Sequence, residues 1–554
     1  MKTRSEVSAE KLRGGFYTPA RLVAHAVERL GQLVGSHSTV RVLEPSIGDG
    51  AFIEGLASAT FNISELVGIE ILGSEADKAS ARLESSSLNG TVINDSTLSW
   101  SLNETESTFD AVVGNLPFVR FQFVSEADRK DAACHATELG ISIGGVANLW
   151  LPMLLASLRK LRRGGAFVLV LPAECLTGVS AGSARKWLLA NVESLRCDLY
   201  PAGSFPGALQ EIVLLSGRIA RMESPTSALT VALHSRSHSD MQFADSHAIL
   251  SRHVLSPRSD SWTRFLLTPQ HLDALEEFEN IEAVHTLGKL AKFEVAIVTG
   301  ANAFFSLTAA QVADYDLGSW VRPLLPRSRF APGLVFNSED YASALSADAP
   351  MYLLDASLQE GDRSQHPGLD EFLAVGEGQE LHLRYKCRIR SPWWAVPGIR
   401  RGDLFLSKRC HRHPRMILNE TAAVTTDTIY RGRILRPEVD GRSLVAGFHN
   451  SGTLLSAELE GRNFGGGVLE LVPSEVSRLQ VPLTPAMGEE LDRLDRISRE
   501  AAARGPGEGE AIRHETDLLL RKAQIGVTQT LLDTLADARS VLMTRRLDRT
   551  AAER

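Results

Sequence analysis

Asp110-Ala111-Val112-Val113-Gly114-Asn115-Leu116-Pro117-Phe118 decides how the chain is read. An apolar, strand-like run ends in a glycine and then sets an amide, a backbone carbonyl, a proline and an aromatic ring in consecutive positions. An exocyclic amine on a heterocycle is a poor nucleophile because its lone pair is delocalised into the ring. Acceptors at Asn115 Oδ1 and at the carbonyl of Leu116 would take both N–H bonds and localise that pair, with Pro117 fixing the turn and Phe118 stacking on the ring. Polar groups placed in advance for the charge of a transition state lower its energy. Asn-x-Pro after a buried strand is also an ordinary turn, so the surrounding stretches have to decide.

Upstream, residues 40–43 form a short buried-strand pattern running into Glu44-Pro45-Ser46-Ile47-Gly48-Asp49-Gly50. Glycines between a strand and a helix let a ligand approach the backbone. A second strand pattern, 65–69, ends in Glu70, 20 residues after Gly50, where an acid suits ribose hydroxyls. A third, 91–94, ends in Asp95, an acceptor for an adenine amino group. Before them, Gly15-Phe16-Tyr17-Thr18-Pro19 leads into a helical pattern, and Thr18-Pro19 predicts a cap followed by proline at the first helical position. Downstream, a helical pattern over 148–161 leads into the apolar strand 166–171, and Gly203-Ser204-Phe205-Pro206 precedes another strand at 212–215. Four successive strand ends thus carry polar ligand groups, all of which would project from the carboxyl edge of one parallel sheet.

The bulk numbers set limits. A chain of 554 residues has room for about three or four domains. A net charge of −8 excludes a uniformly basic nucleic-acid binder but leaves room for a local basic face. The five cysteines, Cys134, Cys175, Cys197, Cys387 and Cys410, form no Cys-x-x-Cys pair, so neither a disulfide framework nor a metal site is expected. The polar N-terminus is no signal peptide, and no apolar run reaches the roughly 18 residues of a membrane span. The expectation is a cytoplasmic protein with no membrane partner.

Residues 218–264 read as peripheral strands and a connection, and 265–278 as a helix. Residues 296–305 predict two strands around a turn at Gly300 and Asn302. Residues 383–442 are basic, with Arg384, Lys386, Arg388, Arg390, Arg400, Arg401, Arg409 and Arg412 outnumbering the acids and Trp393-Trp394 among them. A charge run is ordinarily a solvated face, but cations interleaved with aromatics in an acidic chain fit a DNA-facing surface. Beyond Pro482, periodic Leu and Ile broken at Gly505-Pro506-Gly507-Glu508-Gly509 predict a terminal helical hairpin.

In this order the motifs resemble the S-adenosylmethionine-dependent amino-group DNA methyltransferases, specifically the N6-adenine enzymes of the gamma motif order, over residues 16 to 215. The resemblance implies a Rossmann-like class I α/β methyltransferase domain with a mostly parallel sheet (1–245), an α+β target recognition domain (246–482) and a C-terminal helical segment (483–554). By resemblance, Tyr17, Thr18 and Pro19 form the first cofactor element, and Glu44, Ser46, Gly48 and Gly50 belong to the glycine-rich one. Glu70 is the ribose acid and Asp95 faces the cofactor adenine. Asn115, Leu116, Pro117 and Phe118 match the Asn-Pro-Pro-Tyr/Phe motif, with Asn115 and Pro117 also against the cofactor, and Phe205 is the second aromatic on the flipped base. Leu116 departs from the motif's first proline: the carbonyl is kept, but the loss of φ restriction predicts a less rigid edge. Stretches at 299–305, 392–397 and 461–469 are similar to C-terminal regions of bacterial restriction-modification adenine methyltransferases.

The implied activity is methyl transfer from S-adenosylmethionine to N6 of an adenine flipped out of double-stranded DNA. Because Tyr17 already lies in the first cofactor element, a monomeric modification enzyme is expected, with any restriction nuclease encoded separately. Transfer in line needs no covalent intermediate. A cytosine C5 enzyme would need a thiol in a Pro-Cys context, and no cysteine here follows a proline. N4-cytosine methylation, and a non-catalytic DNA-binding protein on the same scaffold, stay open as alternatives.

Overall fold

The computed structural model describes residues 18–104, 108–119, 121–141, 148–177, 181–200, 211–221, 228–234, 248–254, 262–359, 365–464, 467–505 and 510–551. Strands β1 (Thr39–Glu44), β2 (Asn62–Glu70), β3 (Gly90–Asn94), β4 (Phe109–Asn115), β5 (Leu161–Pro172), β6 (Val192–Tyr200), β7 (Ile212–Ile219), β8 (Ala228–His234) and β9 (Ala248–Val254) make one nine-stranded sheet. Their order is 3-2-1-4-5-7-6-8-9. Neighbours from β3 to β5 are parallel, and β7 runs antiparallel between β5 and β6. This is the α/β class expected. Strands covered on both faces read as continuous apolar runs, and residues 166–171 of β5 are fully enclosed.

Helix Ala20–Val34 lays Leu22, Val23, Ala26, Val27 and Leu30 into the core of this sheet, the spacing of a single helical face. Thr18 does not cap it. Pro19 occupies the N-cap and its carbonyl accepts from Leu22 and Val23 N–H, which leaves Thr18 one residue too early to reach the first turn.

This unit runs to Pro269, and a second comprises Gln270–Leu547. The boundary lies beyond the expected 245/246 because β8 and β9 pair at the edge of the first sheet and Trp262 and Phe265 are buried after them.

The second unit contains a five-stranded sheet of Ala291–Val295, Ile429–Ile434, Leu404–Ser407, Met416–Asn419 and Val335–Phe336, together with smaller sheets. No hairpin forms over 296–305. Gly300 takes the left-handed conformation (φ +84°), but Asn302 then opens the short helix Asn302–Phe305. The reason lies in side chains: Asn302 Nδ2 donates to Asp427 (2.9 Å) and Asn302 Oδ1 accepts from Thr299 Oγ1 (2.5 Å), closing a turn that strand pairing would open.

Beyond Pro482 there are three long helices rather than a hairpin: Leu491–Arg504, Glu510–Lys522 and Gln529–Ala551. Leu491, Leu494, Ile512, Leu520 and Leu532 share one core with Phe293, Leu404 and Leu406 of the sheet. The last helix is also held by Arg546, which grips Glu458 through two bonds of 2.6 and 3.0 Å, both side chains being enclosed. Among the described residues no helix is long and apolar enough to cross a membrane.

Candidate active site

β1, β2 and β3 follow one another to one side of the sheet, whereas β4 lies on the other side of β1. The carboxyl ends of β1 and β4 therefore flank a topological switch point, where open α/β sheets bind ligands. β1 ends in Glu44 and β4 in Asn115.

The turn after β1 is fastened on both sides. Gly48 N–H donates to Glu70 Oε2 (3.0 Å), and Ile47 N–H to the carbonyl of Ile69 (3.0 Å), tying the turn to β2. Ser46 Oγ donates to the backbone carbonyl of Asn115 (2.6 Å), tying it to β4. Gly48 and Gly50 both have positive φ (57° and 90°), which only glycine adopts without strain. A Cβ at Gly48 would meet nothing within 4 Å, so the turn leaves open space above its backbone.

Glu70 Oε1 also accepts from Leu72 N–H (2.9 Å), and the Glu70 carbonyl accepts from Asp95 N–H (3.1 Å). The structure thus brings Glu44, Ser46, Gly48, Glu70, Asp95 and Asn115 to one edge. Tyr17 and Phe205 lie outside the described residues, and no hydrogen bond joins Thr18 to this group among the described residues.

The electrostatics at this edge are one-sided. Glu44 is buried, and its Oε2 has no hydrogen-bond donor among the described residues. Burial, reinforced by Asp49 and Glu70, pushes its carboxyl well above the usual carboxylate range. Asp49 Oδ1 is likewise enclosed without a donor among the described residues, while Oδ2 pairs with Arg82 (2.8 Å). Burial also raises Glu70, with the N–H donors of Leu72 and Gly48 pulling it back. Enclosed carboxyl oxygens without donors, beside a backbone turn with free space, fit a ligand that carries positive charge and hydroxyl donors.

The β4 end is tied to β5 through Leu116. The N–H of Leu116 donates to the carbonyl of Val170 in β5 (3.2 Å), and its side chain is buried. A proline, lacking the N–H, could not make that bond. Where the motif's proline would restrict φ, leucine supplies a ladder bond and a buried side chain that offset the loss of the ring constraint. Pro117 and Phe118 are half-buried, Phe118 packing one side against the core of the sheet. Ile71, directly after Glu70, is 60% exposed. No motif singles it out, although a large apolar residue following a strand-end acid is visible in the sequence.

The thiols offer no nucleophile at this edge. Burial pushes Cys175 up to about 12 and Cys197 well above its ordinary range.

The basic region of the second unit divides in two. Arg390 donates to the carbonyls of Thr299 and Val298, Arg401 to those of Thr421 and Asn419, and Arg409 pairs with Glu470. Trp394 is buried and Trp393 donates to Glu377 (3.1 Å) within a cluster containing Phe304 and Phe372. Trp394 is thus interior and Trp393 half-buried against the same cluster, so the aromatic interleaving read from the sequence belongs largely to a core. Arg384, Lys386, Arg388, Arg400 and Arg412 are exposed and form no ion pair with any described residue.

Comparison with known proteins follows this division. Residues 4–197 match the N-6 DNA Methylase family, and residues 259–505 match the family described as Type II methyltransferase M.Eco57I, C-terminal domain. The Type II methyltransferase M.AccI of Acinetobacter calcoaceticus is 19% identical over 489 residues, covering 84% of each chain. M.HincII of Haemophilus influenzae is 22% identical over 269 residues, 48% of each. The fold is similar to that of the Type IIL restriction-modification enzyme MmeI, solved in complex with DNA (TM-score 0.51, 12% identity, 95% of this chain and 75% of that one). Enzymes of this fold and family use S-adenosylmethionine as methyl donor. The motif at the β4 end, the donor-binding type of sheet and both matched regions agree: the chain belongs to the N6-adenine DNA methyltransferases of the restriction-modification type.

Proposed function

We propose that the protein methylates N6 of an adenine within a specific sequence of double-stranded DNA, acting as a cytoplasmic monomer, with the first unit catalytic and the second reading the target. The observation that carries this reading is the β4 end: Asn115, Leu116, Pro117 and Phe118 stand at the switch point, fastened by Ser46 to the turn that closes the donor side.

S-adenosylmethionine supplies the methyl group from its sulfonium. The open turn at Gly48 would hold the donor, with Glu70 and Asp95 as acceptors for its hydroxyl and amino groups and the exposed side chain of Ile71 as an apolar contact for its ring. Asn115 Oδ1 and the carbonyl of Leu116 hold the two N–H bonds of the target amine, which localises its lone pair, and Phe118 stacks on the base. A base–aromatic stack contributes about 1–3 kcal/mol against the few kcal/mol that extrusion from the duplex costs.

The decisive experiment incubates the protein with methyl-labelled S-adenosylmethionine and mixed genomic DNA, then identifies the labelled nucleoside. Label in N6-methyldeoxyadenosine is expected. Label in N4-methyldeoxycytidine would move the base specificity, and cofactor binding with no label would return the non-catalytic reading.

Glu44 yields a second expectation. Its raised value means that at low pH the carboxyl keeps its proton and cannot pair with a cation. Binding a cationic donor lowers that value and releases the proton, so donor affinity rises with pH through the raised value and then levels off. Titration calorimetry in buffers of different ionisation enthalpy should detect proton release on donor binding. Glu44→Gln should reduce it, leaving only the share carried by Glu70. An unchanged proton count in Glu44→Gln would place Glu44 away from the donor's charge.

A further inference from the structure

Residues 383–390, Leu-Arg-Tyr-Lys-Cys-Arg-Ile-Arg, place four cations in alternation with other residues and contain no acid. In the second unit they form a short 3-10 turn, Leu381–Leu383, followed by the single-turn helix Tyr385–Arg388. The alternation is resolved into an inside and an outside. Cys387 is fully buried, and its Sγ lies 3.8 Å from the carbonyl of Thr299. Arg390 turns back and donates to the carbonyls of Thr299 (2.8 Å) and Val298 (2.6 Å). The three large apolar side chains do the opposite: Leu383 is 55%, Tyr385 64% and Ile389 60% exposed.

The platform below is stiff. The Thr299–Asn302–Asp427 bonds hold the turn that receives Arg390 and Cys387. A Cβ on Gly300 would sit 2.8 Å from Lys386 Cβ. Phe304 stacks on Phe372 at 4.5 Å, next to Trp393. The segment is therefore a fixed knuckle with apolar tips. Arg384, Lys386 and Arg388 stand around those tips, exposed and without an ion pair to any described residue. The nearest acids in sequence, Glu377 and Glu380, lie before the knuckle, and Glu377 is engaged by Trp393.

Exposing three large hydrophobics on a rigid support costs solubility unless something covers them. Three exposed cations without an acid partner, Lys386 lying over the Tyr385 ring at 5.8 Å, select a polyanion as that cover, and apolar wedges between phosphate-binding cations are how proteins unstack and kink a duplex. We infer that the 383–390 knuckle is a wedge against duplex DNA, Leu383, Tyr385 and Ile389 pressing between stacked base pairs while Arg384, Lys386 and Arg388 hold the flanking phosphates. The inference rests on the DNA-methyltransferase reading and adds to it a distortion of the duplex made by the target-reading unit.

The test uses the full chain and a duplex carrying the methylated sequence, mapped from the product DNA, with 2-aminopurine placed at successive steps across it. In the apolar variant, Leu383→Ser, Tyr385→Ser and Ile389→Ser combined, affinity should fall roughly tenfold or more, the fluorescence rise of unstacking should disappear and the salt dependence should persist. In the charge variant, Arg384→Gln, Lys386→Gln and Arg388→Gln combined, the slope of log affinity against log salt should become shallower by about 0.9 for each phosphate no longer neutralised. All six positions are exposed, and thermal unfolding of each variant checks the fold. An apolar variant that binds and unstacks like wild type, or wild-type protein that methylates with 2-aminopurine dark at every step, overturns the wedge and leaves the methyltransferase reading intact. Wild-type protein that binds no duplex overturns both.

Discussion

Asn115→Ala should lower the single-turnover rate of methyl transfer by about 10²–10³-fold, the loss found when one preorganised polar group is removed from a developing charge, with little change in affinity for DNA or donor. The separation follows from where the residue's bonds lie. Its backbone carbonyl accepts from Ser46 Oγ, and the next N–H donates to Val170. Both bonds are made by main chain and survive in alanine, so the turn and the β4 end keep their places. The carboxamide is lost, and with it the Oδ1 acceptor, whose proposed partner, the N–H of the target amine, gains acidity as the bond to carbon forms. An interaction stronger in the transition state than in the ground state shows in the rate and not in binding. Asn115→Asp, which retains an acceptor oxygen, should recover part of the rate. If Asn115→Ala weakens DNA or donor binding as much as it slows transfer, the side chain is structural and the proposed mechanism fails.

The parallel half of the sheet was legible because β1, β2, β4 and β5 each carry a buried apolar stretch, and β1, β2 and β4 end in a ligand-type residue. Strand β6 escaped notice for the opposite reason. Glu193, Arg196 and Asp198 break its apolar pattern, yet Asp198 is fully buried, accepting from Arg196 (2.6 and 2.9 Å) with Arg29 at 3.7 Å. Compensation of a buried charge by cations, one of them 169 positions away, leaves no local trace. Trp393 and Trp394 misled in the same way: nothing local separates an aromatic pair facing solvent from one packed against Phe304 and Trp320. At the site, residue types at the strand ends were readable from order and spacing. The fastenings between them, Ser46 to Asn115 and Gly48 to Glu70, join residues 69 and 22 positions apart and depend on the sheet order, which spacing does not encode.

Glu70→Ala should raise the KM for S-adenosylmethionine by about 10–100-fold, the equivalent of losing roughly 1.5–3 kcal/mol from a hydrogen bond to a charged group, while kcat at saturating donor changes little. Two effects act in one direction. The ribose loses its acceptor, and the turn loses its anchor, since Oε2 holds Gly48 N–H and Oε1 holds Leu72 N–H. The second effect is separable. Glu70→Gln keeps one acceptor oxygen and the side-chain length but puts a donor NH₂ where an N–H now points, so one anchor persists and one becomes repulsive. If the carboxylate acts only on the ribose, Gln and Ala should raise the KM by similar amounts, because an amide oxygen can be turned to the ribose only by giving up a backbone N–H. If anchoring the turn is the larger part, Gln should fall between Ala and wild type in KM, and both variants should lose thermal stability in the absence of donor. The geometry favours the second outcome: both oxygens are engaged within the protein, so the acid holds the turn in shape first, and its remaining lone pairs are what it offers the donor.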